Sequence, residues 1–141
     1  MIDFNLVRNA LRKRIIACTG INPNTQFAFE NNAYDPNGKS FYIREYIIGG
    51  DIVMLSKNRI SIPYFLAQYD LCALVDSGTN ILDSKTSNIL EEFNLLDVEK
   101  SMLDIGEGYD AMILKINREY GVDKGVSKIT LLFTIDVTKV C

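Results

Sequence analysis

Apolar residues recur along this chain with two periods, and the changes of period mark its elements. Phe4, Val7, Leu11, Ile15 and Cys18 return every three or four residues, which predicts an amphipathic helix over residues 3–19 with Ala10 packed between them. Arg8, Arg12 and Lys13 fall on the opposite, solvent side. Gly20 supplies a helix stop, and Asn22-Pro23-Asn24 a turn. Beyond it the period drops to two. Residues 26–30 predict a short strand with Phe27 and Phe29 on one face, and residues 31–39 are a dense cluster of turn formers. Residues 40–48 predict a second strand, with Tyr42, Arg44 and Tyr46 on one side and Phe41, Ile43 and Ile47 on the other.

The stretch from Arg59 to Leu96 organises the rest. It opens as a long strand rich in Ile, Tyr, Phe, Leu and Val. Pro63 cannot donate to a ladder, so it belongs at an edge or a bulge near the strand start. The strand turns at Asp76-Ser77-Gly78-Thr79 and gives way to a second amphipathic helix. Leu82, Ile89, Leu90 and Phe93 form its apolar face, and Ser87, Asn88, Glu91 and Glu92 point the other way. Asn80 is the candidate N-cap, and Asp83 favours the positive end of the helix dipole. Leu11 and Ile15 of the first helix, and Ile89, Leu90 and Phe93 of the second, are expected to bury against one face of the sheet.

After the second helix, residues 97–106 are polar, with a short strand expected around Ser101 to Ile105. Residues 106–109 turn. Residues 111–119 alternate Met112, Leu114 and Ile116 against Ile113, Lys115 and Asn117. Residues 121–125 read as a loop, and residues 127–140 as a final strand in a hairpin with its predecessor. The sum is helix, three strands, helix, then two or three strands. That is an α+β fold, a single domain over residues 1–141 with two helices packed on a mostly antiparallel sheet.

Composition narrows the function. The 141 residues are 48% hydrophobic and 23% charged, ordinary for a globular domain with a real core. No window reaches the ~18 uninterrupted apolar residues of a membrane helix. The first fifteen residues lack a signal peptide's apolar core, so a cytoplasmic site of synthesis and use is expected. There is no histidine, which removes Ser-His and Cys-His catalysis and histidine metal centres. Cys18, Cys72 and Cys141 have neither CxxC spacing nor an even count, so no disulfide framework or zinc site is expected. The formal charge of −3 supplies no global field for nucleic acid.

Four local patterns carry candidate chemistry. Ala73-Leu74-Val75-Asp76-Ser77-Gly78-Thr79 resembles the active-site loop of aspartic proteases, in which two aspartates share a proton to activate water. One copy per chain would require a retroviral-type homodimer, with a later strand to buttress the loop. Met102 to Gly106 is a poor echo of such a strand, and a plain strand-to-helix turn also accounts for the motif. Asp97-Val98-Glu99-Lys100 contains the ExK triplet of metal-dependent nucleases, but it follows a helix in an acidic chain and reads as a solvated charge cluster. Arg12-Lys13-Arg14 could contact phosphate, and a solvated helix face near the negative helix end explains it as well. Lastly, Ile52, Val53, Met54 and Leu55 form an apolar run after Gly49-Gly50. The run is either an extension of the strand or an arm whose side chains await a neighbour.

In order, Phe4-Asn5-Leu6-Val7-Arg8-Asn9-Ala10-Leu11, Phe29-Glu30-Asn31, Tyr34-Asp35-Pro36 and Phe41-Tyr42-Ile43-Arg44 are followed by a long strand. That strand ends in an acidic-Ser-Gly-Thr turn and leads to a helix closing in Ile89-Leu90-Glu91-Glu92-Phe93. A strand from Ile129 to Val140 finishes the chain. This succession resembles the tail-terminator, or tail-completion, proteins of long-tailed bacteriophages over nearly the whole length. The turn departs from the family pattern, with Asn80 where a second glycine is common, and the run Ile52 to Leu55 has no counterpart. The resemblance implies a structural virion protein without catalysis or cofactor, in the phage tail and neck, assembled in the host cytoplasm. Its implied partners are other copies of itself in a ring, a hexamer in that family, the tail tube protein and a neck or head-completion protein. DNA would only pass through the lumen, and no membrane is involved. Ile52, Val53, Met54 and Leu55 are the candidate subunit or tube contact. The alternatives are another neck or head-completion ring, or the dimeric aspartic protease built on Asp76-Ser77-Gly78.

Overall fold

The sequence periods become a helical layer on a single twisted sheet in the computed structural model, which describes residues 4–29, 33–36, 39–49, 53–56, 59–74, 80–106 and 108–140. The elements in order are α1 (Phe4–Thr19), β1 (Phe27–Ala28), β2 (Phe41–Gly49), β3 (Val53–Ser56) and β4 (Arg59–Leu74). They continue with α2 (Asn80–Glu92), α3 (Val98–Ser101), β5 (Met102–Leu103), β6 (Tyr109–Asp123) and β7 (Val126–Val140). The sheet runs β1-β2-β4-β7-β6-β5, with β3 also paired to β4. Among the described residues β1 and β2 pair in parallel and the other strand pairs are antiparallel. The fold is α+β, as the periodicity predicts, with the short α3 added to the two expected helices.

One face of the sheet carries the core. Val7, Leu11 and Ile15 of α1, Leu82 and Ile89 of α2, and Phe93 directly after it are fully buried against Phe65, Tyr69, Leu71, Leu131 and Phe133. Burying a side chain of that size stabilises by roughly 1.5–3 kcal/mol. Phe93 meets Phe133 edge to face with ring centres 5.2 Å apart, and Tyr69 meets Phe133 the same way at 5.8 Å. Leu90 is a correction: it is 37% exposed, and Thr86 takes the fourth place on the buried stripe. The stripe follows Leu82, Thr86, Ile89 and Phe93, spacings of three and four, and Leu90 lies one residue off it. Asn80 is already the first residue of α2, so its cap falls outside the described residues.

Three irregularities decide which side chains face where. Pro63 lies inside a register break between Ile62 and Phe65 against β7. β3 stops pairing at Ser61 and β2 begins at Leu66, so the ring needs no ladder donor on that side either. A second break in β6, between Ile113 and Lys115, inserts Leu114. Tyr109, Ala111 and Ile113 face the core before it; after it the parity flips and Ile116 pairs with buried Phe133. Met112, Leu114 and Ile116 therefore do not share a face as expected, because a bulge moves every following residue to the other side. The third is the tip of the β6–β7 hairpin. Residues 121–125 are not a loop: the strands run to Asp123 and from Val126, joined by Lys124 and Gly125 at φ 50° and 77°. Two positive φ values in a two-residue connection are the mirror-image turn that matches strand twist. The first short strand is likewise Phe27–Ala28 alone among the described residues, although the Phe29 ring still meets Phe27 at a tilt. Among the described residues no helix is long and apolar enough to cross a membrane.

Candidate functional site

Two of the three basic residues in Arg12-Lys13-Arg14 are consumed by the fold, which corrects their placement on a solvated face. Glu45 sits on the inward face of β2, between Ile43 and Ile47, with its side chain fully buried. Arg12 Nε lies 2.7 and 2.8 Å from its two carboxylate oxygens, and Arg12 Nη2 pairs with the first of them. Tyr69 of β4 donates its hydroxyl to Glu45 Oε2 at 3.1 Å. Burial, and then the Glu45 charge, hold that hydroxyl protonated well above its ordinary range. The trio closes α1 onto the sheet. Arg14 works as a second fastener. It donates to the carboxylate and carbonyl of Glu92 at 3.0 Å, and to the carbonyls of Lys100 and Met102 at 2.8 and 2.9 Å. Its guanidinium lies 4.3 Å over the Phe93 ring. Lys13 alone of the three stays exposed.

The other candidate motifs resolve as follows. Asp76, Ser77, Gly78 and Thr79 lie outside the described residues, between the end of β4 and the start of α2. Leu74 at that end pairs with Val126, whereas Met102 pairs with Met112, which faces Asp136. Val126 and Asp136 are roughly 33 Å apart along β7 at ~3.3 Å per residue. Met102 to Gly106 is thus at the far corner of the sheet from the end of β4. Asp97 spends its carboxylate on the Glu99 amide, 3.0 Å away, as the cap of α3, with Glu99 and Lys100 exposed. Ile52 lies outside the described residues. Val53, Met54 and Leu55 lie in β3, in which Val53, Met54 and Ser56 pair with Ser61, Ile60 and Arg59 of β4, so the backbone takes the strand alternative.

The sheet face away from the helices carries a cleft of about 260 Å³ that the sequence reading did not assemble. Tyr42 and Arg44 of β2, Asp70 and Cys72 of β4, and Lys124 and Lys128 at the β6–β7 tip line it. Register brings them together: Tyr42 faces Cys72, which faces Lys128, and Arg44 faces Asp70, which faces Thr130. Tyr34 meets Tyr42 at a tilt with ring centres 5.5 Å apart, and the Arg44 guanidinium lies 5.8 and 5.7 Å from the two rings. Asp70 forms the floor, 5% exposed, its Oδ1 accepting from Thr130 Oγ1 at 2.8 Å and Gln68 Nε2 at 3.1 Å. Burial is the main cause that lifts the Cys72 thiol to about 11, and burial followed by Glu92 lifts Cys18 equally. Both are thiols at neutral pH, without the thiolate that nucleophilic chemistry uses. The alternation of Tyr42, Arg44 and Tyr46 was the visible signal for this face; its partners on β4 and β7 follow only from the pairing.

No family model and no curated protein sequence match this chain. A solved structure superposes on it with a TM-score of 0.60 at 15% sequence identity, over 97% of this chain and 96% of the other. At that identity the likeness concerns the fold alone.

Proposed function

We propose that this chain is a structural subunit of a bacteriophage tail, forming a ring that terminates the tail tube and joins it to the head or neck. The reading is carried by the order of elements across the whole chain. The resembling segments fall in turn on α1, β2, the close of α2 and β7. The polar side chains that resolve most clearly serve the fold: Arg12 and Glu45 join α1 to the sheet, and Arg14 joins α1 to α2 and β5. In this role the protein needs no cofactor and performs no catalysis, and DNA passes through the lumen without being gripped by an acidic wall. Ile52 to Leu55 remain the proposed subunit or tube contact. β3 pairs with Arg59 to Ser61, on the other side of the Pro63 bulge from the β4 residues, Phe65 to Ala73, that join the core.

Native mass measurement and electron microscopy of the purified chain test this. A closed ring, expected at six times the 15.9 kDa of one chain, that binds the end of tail tubes supports it. A dimer that hydrolyses peptides, is blocked by an aspartic-protease inhibitor and loses activity in Asp76→Asn overturns it.

A further inference from the structure

Two surface patches of opposite character occupy opposite corners of the sheet. The first is the cleft on the open face. Tyr46 and Leu74, 42% and 44% exposed, flank it beside Arg44, Lys124 and Lys128. Neither lysine has an ion-pair partner among the described residues. Asp70 is buried and held by Thr130 and Gln68, so the charge that the cleft presents outward is positive.

The second patch is built on β5, the start of β6 and α3. Met102 and Met112 are Cα partners on adjacent strands and each is 39% exposed. Leu114 at the bulge is 49% exposed. Val98 of α3, which packs on β5 and β6, is 65% exposed. Exposed Glu99, Asp104 and Asp110 border this corner and outnumber its Lys100 and Lys115. An apolar centre within a charged border is the anatomy of a protein interface, and a monomer gains nothing by exposing it. Lys128 and Asp136, the β7 partner of Met112, are roughly 26 Å apart along β7 at ~3.3 Å per residue. The two patches are therefore separate surfaces.

We propose that the chains associate head to tail, the acidic-bordered apolar corner of one copy seating on the basic-bordered aromatic cleft of the next. The two surfaces differ from each other and match in charge, which is the requirement for a heterologous contact that repeats around a ring. This rests on the ring reading above and specifies which surfaces make the ring.

Charge reversal tests it. Lys124→Glu/Lys128→Glu leaves the acidic corner intact and spoils the cleft; Asp104→Lys/Asp110→Lys does the converse. Each variant alone is expected to be monomeric by native mass, with the wild-type melting temperature. An equimolar mixture is expected to reassemble, because intact meets intact and reversed meets reversed. The variant carrying all four changes is expected to assemble by itself. The milder Lys124→Gln/Lys128→Gln, expected to weaken assembly about tenfold, carries the test should a reversal fail to fold. Reversals that leave the wild-type ring intact, or a mixture that yields only dimers, overturn the head-to-tail contact while the ring reading stands. So does loss of oligonucleotide binding with unchanged assembly, which assigns the cleft to phosphate. A wild-type chain that stays monomeric overturns both.

Discussion

Replacing Arg12 by methionine takes a two-pronged guanidinium away from Glu45, a carboxylate whose side chain is fully buried and which also accepts from the Tyr69 hydroxyl. Breaking a buried ion pair from one side costs ~3–5 kcal/mol, because the remaining charge is desolvated without compensation. The Arg12 side chain keeps 20% of its surface exposed, so water can reach the gap, and the low end, about 3 kcal/mol, applies. That is a large share of the ~5–15 kcal/mol that holds a domain of this kind. At roughly 4 °C per kcal/mol it lowers the melting temperature by about 12 °C. Thermal unfolding followed by circular dichroism measures this. The companion variant, Arg12→Met/Glu45→Leu/Tyr69→Phe, removes all three polar groups of the trio and fills their space with apolar atoms. It is expected to regain wild-type stability or exceed it. A single variant that loses less than about 1 kcal/mol, or a triple variant as unstable as the single, refutes the argument that the buried carboxylate's loss of Arg12 sets the cost.

Phe93→Ala, which empties the ring sites against Phe133 and Arg14, is expected to cost ~3–5 kcal/mol in denaturant unfolding; an unchanged midpoint would show that α2 does not pack as described. Thr86 buries a hydroxyl that has no partner among the described residues, so Thr86→Val should stabilise by ~1 kcal/mol, and a loss would reveal a hydrogen bond to that oxygen. The Tyr69 hydroxyl and the Cys18 and Cys72 thiols all titrate above their ordinary 10.0 and 9.0. The stability they contribute is whole below those values and is lost as pH rises through the higher folded ones, so the melting temperature should fall from pH 9 upward. Tyr69→Phe and Cys72→Ala should each flatten that fall; equal slopes in all three proteins would count against the assignment. Val53→Asp/Leu55→Asp separates contact from core: a folded protein that no longer forms rings or joins tails supports the contact, whereas failure to fold places the segment in the core and normal assembly refutes both.

Periodicity made α1, β2, β4, α2 and the closing hairpin legible, because each buries one continuous stripe or one alternating face. Leu11, Ile15, Ile89 and Phe93 were readable for the same reason. What escaped depends on events that pattern does not encode. The partner of Arg12 lies thirty-three residues on; its trace in the sequence was an acidic residue on the apolar side of β2. One inserted residue at Leu114 reversed the facing of everything after it in β6. The cleft is a product of register across three strands, so Asp70, Cys72 and Lys128 could be placed together only once the pairing was known. Lys124-Gly125 does carry a turn signal in its glycine, but Gly121 upstream drew the boundary too early.

β7 is made after every other described element and yet is the middle of the sheet, hydrogen-bonded along its length to β4 on one side and β6 on the other. Until it arrives, two strands of sixteen and fifteen residues wait with facing edges open and much of the apolar core unroofed. The pairings it then makes with β4 join residues tens of positions apart, so folding must close large loops before any of that burial is recovered. The nascent chain is therefore most prone to aggregate just before synthesis of β7 is finished, and a stop codon within the segment encoding it would leave a sticky half-sheet rather than a smaller version of the fold.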